Sequence, residues 1–533
     1  MCTELRGIVM ISLVIIVVYL VLLFTACAVA KKREEKKVAQ GGKGGFLMAG
    51  KDLPLVLIIF MMAGNIIGGS STTGAAELAM TAGFSAVWYG WSAVFGVIIL
   101  AFVGAKRMRI LEYNTVSEMV SDYCGKVPRL LMCLGTLFAV LGVCALQYYA
   151  GGTYLASMFP DVISVNTGMI ITAAAFLLIC MFGGLLGASI ANLINVVVII
   201  ISLIVCLTVL IVNQGGWEVF ATQVANISES TTNGGSWWSI MGGVGIATAM
   251  SYMASEPGNR MTAQSNTMMA FAARSPKEGR WGIFIGALIL VPITIVCVLL
   301  GLYCRVYFPE TSPSLAMGTV LVALPSVLAG IGLAGLWAVI VSSGVALLMA
   351  AVQMVEFDIL ALFRKNENER SAKQEKISSR IVMIVLTVLT LSAAFMIRSI
   401  VSALLTILCI TPALFMMVLA ILYFPGLIKK SSAYIVIGAS YLFFILWLVV
   451  PGISAAIPTA IYFEWPMAVV LFFGCALFDR RKVAIPERRA RSVAAYKAVE
   501  DEEKAAREAI KYQKWLRRVE RQVKAQRSVT VMA

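Results

Sequence analysis

The chain has 533 residues, of which 60% are hydrophobic and only 13% are charged. Soluble domains carry about 25% charged residues, so this composition excludes an ordinary soluble protein and indicates one that crosses a membrane many times. The net charge of +15 does not indicate a nucleic-acid partner, because the basic residues are concentrated in a few loops and at the C-terminus. No histidine is present and the 11 cysteines form no paired spacing, which argues against a transition-metal site.

About 13 segments are long and apolar enough to span a bilayer, which requires roughly 20 apolar residues each. They cover approximately residues 7–30, 53–79, 84–105, 128–158, 162–183, 188–213, 236–255, 281–305, 325–360, 379–397, 399–424, 432–452 and 457–478. Basic clusters follow every second segment, and such clusters are typical of cytoplasmic loops. The sequence therefore predicts an all-α, multi-pass protein of the plasma (inner) membrane, with its N-terminus outside and its C-terminus in the cytoplasm.

The last part of the chain, residues 483–533, is a charged and Ala-rich tail. The tail is predicted to form a helix of mostly charged residues, with one apolar stripe that includes Tyr512, Trp515 and Val519. Three interpretations stay open: contact of the basic tail with anionic lipids of the inner leaflet, a coiled coil, or a simply solvated helix.

Residues 45–52 nearly match a phosphate-binding loop. Asp52 stands where that loop needs Ser or Thr to hold magnesium, and no strand precedes it. The mismatch argues against ATP hydrolysis, and we expect that the protein is not an enzyme. A protein with many spans and no nucleotide site is a secondary transporter or a channel.

Secondary transporters place two interrupted helices at the centre of the membrane, in corresponding positions of two repeats. Segment 53–79 contains the glycine- and hydroxyl-rich run 63–74, and segment 236–255 contains the run 241–245. Glycine costs a helix about 1 kcal/mol relative to alanine, so both runs can unwind. The alternative is close helix packing through small residues. The hydroxyls favour unwinding in the first run, and in the second run the two interpretations are balanced.

Ser342 and Ser343 stand side by side in the middle of the apolar segment 325–360, with no charged residue within a helical turn. An unpaired hydroxyl is costly in hydrocarbon. The pair is satisfied by a dehydrated alkali cation, by the carbonyl one turn earlier, or by a neighbouring helix.

Several motifs occur in a fixed order: residues 46–54, 115–119 with 123–126, 182–185, 272–280 and 342–343. Together they resemble the sodium:solute symporter family, whose members carry sugars, proline, pantothenate, iodide and short carboxylates. The resemblance covers about residues 7–478. It implies the inverted-repeat fold of the leucine transporter, a 5+5 repeat with one extra N-terminal and two extra C-terminal helices.

The resemblance also implies a division of the chain. The expected parts are 1–52, an N-terminal helix and cytoplasmic loop; 53–213, the first repeat with helices 2–6; 214–424, the second repeat with helices 7–11; 425–482, helices 12 and 13; and 483–533, the basic cytoplasmic tail.

A sodium ion is the expected cofactor, with no other metal. By resemblance it is bound by backbone carbonyls and hydroxyls of Ala63, Ile66, Val339, Ser342 and Ser343. Neutral oxygens suit weak and reversible sodium binding. Asn65 and Asn192 stand where several relatives have acidic residues, so a second, carboxylate-assisted site is not expected and we expect one sodium per cycle.

The solute is expected beside this ion. The candidate substrate-binding residues are Asn65, Gly69, Ser70, Ser71, Gln147, Tyr148, Gly242 and Tyr252. The polar residues that bind sugar in relatives are missing from residues 88–93, which favours an amino acid or a short carboxylate over a hexose. No pocket cation for a carboxylate is evident, although a helix break or the sodium ion can supply a positive field. Glu256 is expected to face water or to pair locally rather than to relay protons.

The leading hypothesis is therefore a sodium-coupled symporter that imports a small organic solute by alternating access, with lipids and the solute as partners and no nucleic acid. The alternatives are a proton-coupled transporter of the same fold, a passive channel, and a non-transporting sensor or scaffold that signals through its tail.

Overall fold

The structure, a computed structural model, describes residues 47–48, 51–159, 162–363, 372–397, 400–481, 483–498 and 500–501, together with Val14, Val17, Val18, Val21 and Thr25. The rest of the predicted first span, 7–30, lies outside the described residues, and so does the tail from 502 onwards with its predicted apolar stripe. In the part that is described, every regular element is a helix, and Leu53 and Ala273 form an isolated β-bridge.

Nine helices cover the first half of the described chain, up to the loop after Ala272. They are α1 (Leu55–Ile66), α2 (Gly69–Ala82), α3 (Val87–Ile99), α4 (Val116–Cys124), α5 (Lys126–Met158), α6 (Val165–Asn213), α7 (Trp217–Ala225), α8 (Ile246–Thr262) and α9 (Gln264–Ala272). A 3-10 turn over Gly83–Ala86 joins α2 to α3, and a π-helical turn over Leu100–Ala105 and a short helix, Lys106–Leu111, extend α3.

A further nine described helices complete the chain as far as Phe478. They are α10 (Pro276–Tyr307), α11 (Ala316–Val322), α12 (Ser326–Met354), α13 (Ala372–Ala394), α14 (Ile400–Leu408), α15 (Thr411–Tyr423), α16 (Ser432–Val449), α17 (Pro451–Ala456) and α18 (Ile461–Phe478). A π-helical turn, Val355–Leu360, and a final turn, Ala361–Phe363, extend α12.

Among the described residues, eight helical stretches are long and apolar enough to cross a membrane, and four more apolar helices are shorter. The predicted spans 128–158, 281–305, 325–360, 379–397, 432–452 and 457–478 each coincide with one long helix. The predicted span 399–424 instead divides into α14 and α15, because the helix restarts at Thr411 with Pro412 in its first turn. These helices make the chain a multi-pass membrane protein, and the total of 13 spans stays a prediction.

The long helix α6 doubles back on itself. Its backbone is helical from Val165 to Asn213, although the sequence predicts two spans there. Thr172 accepts a hydrogen bond from Trp337 of α12, while Ser202 lies 3.2 Å from the Cβ position of Gly335. In a straight helix Thr172 and Ser202 would stand about 45 Å apart, and side chains cannot reach neighbouring turns of α12 over that distance. The two predicted spans 162–183 and 188–213 therefore correspond to antiparallel arms of α6.

The centre of the bundle is α12. Its most apolar stretch is 94% buried inside the protein, whereas the corresponding stretches of α16 and α18 are only 33% and 28% buried. A helix that is apolar all round belongs in the interior, and one whose apolar residues remain exposed in a membrane protein faces lipid. Helices α5 and α6 pack along α12, so residues in the middle of α12 meet the rest of the core.

The first interruption lies where the sequence predicts unwinding. Helix α1 ends at Ile66, Ile67 and Gly68 take non-helical backbone conformations, and α2 begins at Gly69. The second run, 241–245, for which unwinding and close packing are balanced in the sequence, lies outside any helix. Residues 236–245 form turns before the helix rather than a break within it.

The glycine run 241–245 packs against the connection between α2 and α3. A Cβ on Gly243 would fall 1.8 Å from the carbonyl oxygen of Ala82, and Val244 donates its N–H to Ser85. Gly245, at φ 79°, then begins α8. The interruption itself is at Ala263, which has an extended backbone between α8 and α9.

The exit of the last helix is fixed by hydrogen bonds. Asp479 follows α18 and accepts from the side chain of Arg481 and from the hydroxyl of Ser431, which precedes α16. These bonds, first those from Arg481, hold the pKa of the Asp479 carboxyl well below its usual range.

A small separate unit comprises residues 110–112 and 484–533. Of its described residues, 487–498 are helical, and Arg488 donates to the carbonyl of Glu112.

Candidate functional site

The two interrupted helices meet at their breaks. Asn65 stands in the last turn of α1, and its Nδ2 donates to Oδ1 of Asn266 at 2.8 Å and to the carbonyl of Ser265 at 3.3 Å. Ser265 and Asn266 lie in the first turn of α9. Because Asn65 is buried, this side-chain bond replaces hydrogen bonds to water and fixes the two breaks against each other.

The first break also touches α12. The Ser343 hydroxyl lies 2.5 Å from the carbonyl oxygen of Gly64 and 3.1 Å from that of Ile67. A hydroxyl has one proton and donates to one of these carbonyls at a time. Ser343 is fully buried, so it joins the unwound end of α1 directly to the central helix.

The predicted sodium ligands gather around this contact. The carbonyl of Ala63 accepts from the N–H of Ile67 at 2.8 Å, and the carbonyl of Ile66 accepts from the Ser71 hydroxyl at 2.7 Å. Val339 stands one helical turn before Ser343 on α12. The Ser342 side chain lies outside the described part of the structure. The ligands Ala63, Ile66, Val339, Ser342 and Ser343 remain a prediction, with the neutral oxygen donors that an alkali cation requires.

Gln147 of α5 caps the second half of the broken helix. Its Oε1 accepts from the N–H of Gly69 at 2.7 Å, and its Nε2 donates to the Ser70 hydroxyl at 3.0 Å. The first N–H groups of a helix have no partner within the helix, so Gln147 satisfies one that the break exposes.

A narrow cavity lies beside the paired breaks. Its wall includes four of the predicted substrate-binding residues: Asn65, Ser70, Ser71 and Gln147. The volume of this cavity is about 40 Å³, which is room for a few water molecules. A larger solute requires the helices around the cavity to move.

The other four predicted substrate-binding residues are not at the cavity wall. Gly69 faces Ala150 and Gln147, and Tyr148 is buried with its ring 5.0 Å from that of Phe176. The ring of Tyr252 packs edge-on at 5.6 Å against Tyr89, which does line the cavity. Gly242 lies in the turns before α8, where its N–H donates to Ser239.

A buried ion pair lines the same cavity. Arg260 Nε donates to Glu256 at 2.7 Å, and the two side chains are only 14% and 5% exposed. The predicted span 236–255 ends before Arg260, among residues expected to form a basic loop, and no pocket cation is expected there. The structure corrects both expectations, since Arg260 belongs to α8 and stands three residues before the break at Ala263. The expected local pairing of Glu256 is confirmed. The four-residue spacing of the two charges was the signal for a helix at this position.

Two buried asparagines lie behind the first break. Asn192 and Asn195 of α6 are 0% and 2% exposed, and their amide atoms have no hydrogen-bond partner among the described residues. A Cβ on Gly64 would fall 2.7 Å from Cγ of Asn192, so this side chain is in contact with the unwound end of α1. One sodium per cycle stays an expectation.

The sequence and the fold of this chain are similar to those of known proteins. The sequence profile of the sodium:solute symporter family matches residues 46–433. The fold is similar to that of a sodium-coupled sialic acid symporter in a substrate-bound, outward-open state, with a TM-score of 0.71 and 15% identity over 89% of this chain and 98% of that one.

Two further solved structures share the fold at lower similarity. Mhp1, a nucleobase-cation-symport-1 family transporter solved closed with bromovinylhydantoin, gives a TM-score of 0.52 with 12% identity, over 84% of this chain and 98% of the other. MhsT in complex with L-phenylalanine gives a TM-score of 0.50 with 12% identity, over 78% of this chain and 98% of the other.

Proposed function

Because the chain belongs to the sodium:solute symporter family, we propose that it couples the import of a small organic solute to the entry of sodium, by alternating access. It is a transporter and not an enzyme. The structure aligns with sodium-coupled and cation-coupled transporters over most of its length, which fits this class of mechanism.

The observation that carries the proposal is the contact between Ser343 and the unwound end of α1. A site built from a broken helix and a central helix changes shape when either helix moves. A sodium ion held there by Ala63, Ile66, Val339, Ser342 and Ser343 would favour the arrangement in which α1 and α12 are together. When the ion leaves, that preference is lost and the helices can separate.

Sodium would supply a positive charge beside the cavity. The Ser343 hydroxyl oxygen would coordinate the ion, and the backbone carbonyls at the break would serve as the other ligands. All these donors are neutral, so binding is weak and the ion can be released. A site of this kind suits a coupling ion.

The solute belongs in the adjacent cavity. Asn65, Ser70, Ser71 and Gln147 offer it amide and hydroxyl groups. We propose a small solute, an amino acid or a short carboxylate rather than a sugar, because the cavity is narrow.

Sodium binding can be tested without a known substrate. The purified protein is heated across a sodium titration in which potassium keeps the ionic strength constant. Saturable stabilisation by sodium alone is expected, since a ligand that binds only the folded state raises its stability by mass action. The double variant Ser342→Ala/Ser343→Ala should lose this response.

The matched control is Ser202→Ala. Ser202 is a buried serine whose hydroxyl bonds the carbonyl of Ile199 in its own helix, far from either break. It should respond to sodium as the wild type does. Equal stabilisation of the wild type by sodium and potassium would overturn the proposal and favour proton coupling in the same fold.

A further inference from the structure

The ion pair Glu256–Arg260 lies deep in the protein. Both side chains are almost fully buried, and Arg260 stands next to the point where the two broken helices meet. Charged residues at that depth are costly and mark the path of a substrate or an ion.

Helix stabilisation does not account for this pair. Ion pairs at four-residue spacing add little on an exposed helix surface, and burying one costs more in lost hydration than the attraction returns unless further hydrogen bonds compensate. Among the described residues, Arg260 is hydrogen-bonded only through Nε, to Glu256. The remaining donors of its guanidinium lie on a residue that lines the cavity.

We propose, on the basis of the sodium-coupled import argued above, that Arg260 binds the carboxylate of the solute and that the solute is a short monocarboxylate. A guanidinium presents two parallel N–H groups that match the two oxygens of a carboxylate. Glu256, bonded to Nε, holds the guanidinium in place and leaves that face open. Arg260 contacts the solute, and Glu256 is a positioning residue.

The charges at the site favour a monoanion over a zwitterion. The one carboxylate among the residues that line the cavity, Glu256, is already bonded to Arg260, so the wall offers no second carboxylate to the ammonium group of a zwitterion. A monocarboxylate has no such group to satisfy.

The rest of the cavity wall suits the other end of such a molecule. Apolar residues, Val140, Val143 and Leu347, line it together with the polar groups near the breaks. A short apolar chain attached to the carboxylate fits this mixture of one ion pair, several amides and hydroxyls, and several aliphatic side chains.

The test measures binding through thermal stability in saturating sodium and, separately, in potassium. The probes are acetate, propionate, butyrate and benzoate, with propionamide as the uncharged counterpart of propionate and alanine as a zwitterion of similar size. At least one monocarboxylate should stabilise the wild type in sodium, while propionamide has no effect and alanine has a weaker one.

Three variants and a control assign the effect. Arg260→Gln should weaken carboxylate affinity by about tenfold or more, the loss of at least one charge-assisted hydrogen bond. Glu256→Gln keeps the guanidinium and should still bind carboxylate. Glu256→Gln/Arg260→Gln removes both charges, so it leaves no unpaired buried charge if Arg260→Gln alone folds poorly. The control Arg274→Gln alters an arginine that is 53% exposed and paired with Asp52.

The outcomes separate this inference from the proposed function. Loss of the carboxylate response in Arg260→Gln or in the double variant, with the sodium titration intact, supports it. A wild type that responds to sodium but to no monocarboxylate overturns it, as does a double variant that binds carboxylate like the wild type. A carboxylate response that is equal in sodium and potassium would instead contradict sodium coupling and leave the role of Arg260 standing.

Discussion

Two glycines at the site allow helices to approach more closely than any side chain would permit. A Cβ on Gly64 would fall 2.7 Å from Asn192, and one on Gly344 would fall 1.5 Å from the ring of Phe176. Gly64 supplies the carbonyl next to Ser343, and Gly344 follows that serine in α12. The contact between α1 and α12 thus depends on α6 packing against positions that have no side chain.

Gly344→Ala is therefore expected to be strongly destabilising. Overpacking a core costs about 1–3 kcal/mol, and a rigid aromatic ring leaves the new methyl little freedom to shift. The variant should unfold at a clearly lower temperature and show a weaker response to sodium, because Ser343 moves with its neighbour. Adding Phe176→Leu should recover part of the lost stability. Thermal unfolding with and without sodium measures both effects.

The control for this substitution is Gly438→Ala in α16, where a Cβ would have no neighbour within 4 Å. Alanine is the better helix former, so this variant should be as stable as the wild type or more stable by about 0.5–1 kcal/mol. Wild-type stability in Gly344→Ala would show that the ring of Phe176 can move aside, and would contradict the packing described here.

Single residues were predictable from the sequence where a local rule applied to them. Asn65, Ser70, Ser71 and Gln147 are polar residues in apolar segments, and all four line the cavity. The position of Arg260 in the cavity wall was not predicted, because arginines near the end of an apolar segment usually belong to loops. Only the fold shows that α8 continues past it to Thr262.

At the scale of helices, the paired breaks are the central feature. Each broken helix exposes backbone groups that the helix cannot satisfy by itself, and the structure satisfies them from neighbouring elements. Asn65 of α1 bonds to the first turn of α9, and Gln147 of α5 bonds to the first turn of α2. The breaks therefore hold each other in shape.

This mutual support can be measured with a double-mutant cycle. Asn65→Ala and Asn266→Ala should each cost about 1–3 kcal/mol, since each leaves a buried partner unsatisfied. The double variant should cost less than their sum by about 0.5–3 kcal/mol, because the second change removes a group that the first has already left unpaired. The free energy of unfolding in detergent is the quantity to compare.

The control cycle pairs Asn65→Ala with Thr208→Ala, an exposed threonine that bonds the carbonyl of Ile204 in its own helix. Those two changes should add. If Asn65 and Asn266 were also additive, the breaks would be independent of each other and the amide contact would carry no coupling.

The second break shows why element boundaries are hard to predict from this sequence. The first break has glycines and hydroxyls, whereas Ala263 is an ordinary helix former between Thr262 and Gln264. Pro257 remains inside α8 without ending it. Hydropathy places the start of the predicted span at residue 236, because the turns before Ile246 are themselves apolar. Tertiary contacts, such as that from Asn65, decide where the helix is interrupted.

At the scale of the whole molecule, burial increases from the last helices towards α12. The predicted repeat architecture implies such an arrangement, because the two additional C-terminal helices would stand outside the repeats. Apolar length alone predicts most of the spans, including the two arms of α6. It does not predict that the backbone between those arms stays helical.

Contacts between loops agree with the predicted alternation of two classes of loop. Arg274 pairs with Asp52, and Leu53 bridges Ala273, so two regions that the sequence assigns to the cytoplasm lie together. The neutral turns assigned to the outside also meet, because Phe84 donates its N–H to the carbonyl of Trp237. Loops of each predicted class thus share a face of the bundle, although which face is outside depends on the charges alone.

Labelling of introduced cysteines with a membrane-impermeant maleimide decides that orientation. Ser228→Cys lies in an exposed neutral loop, and Gly426→Cys lies in an exposed turn near Lys429 and Lys430. Since basic loops are retained in the cytoplasm, Ser228→Cys should react in intact cells and Gly426→Cys only after permeabilisation.

The unmodified protein gives the baseline, because most of its described cysteines are buried. The reverse pattern would invert the topology and, with it, the direction in which the cavity first opens to the solute. Equal labelling of both positions in intact cells would mean that the charge of a loop does not determine its side of the membrane. The alternation of basic and neutral loops would then not predict the topology.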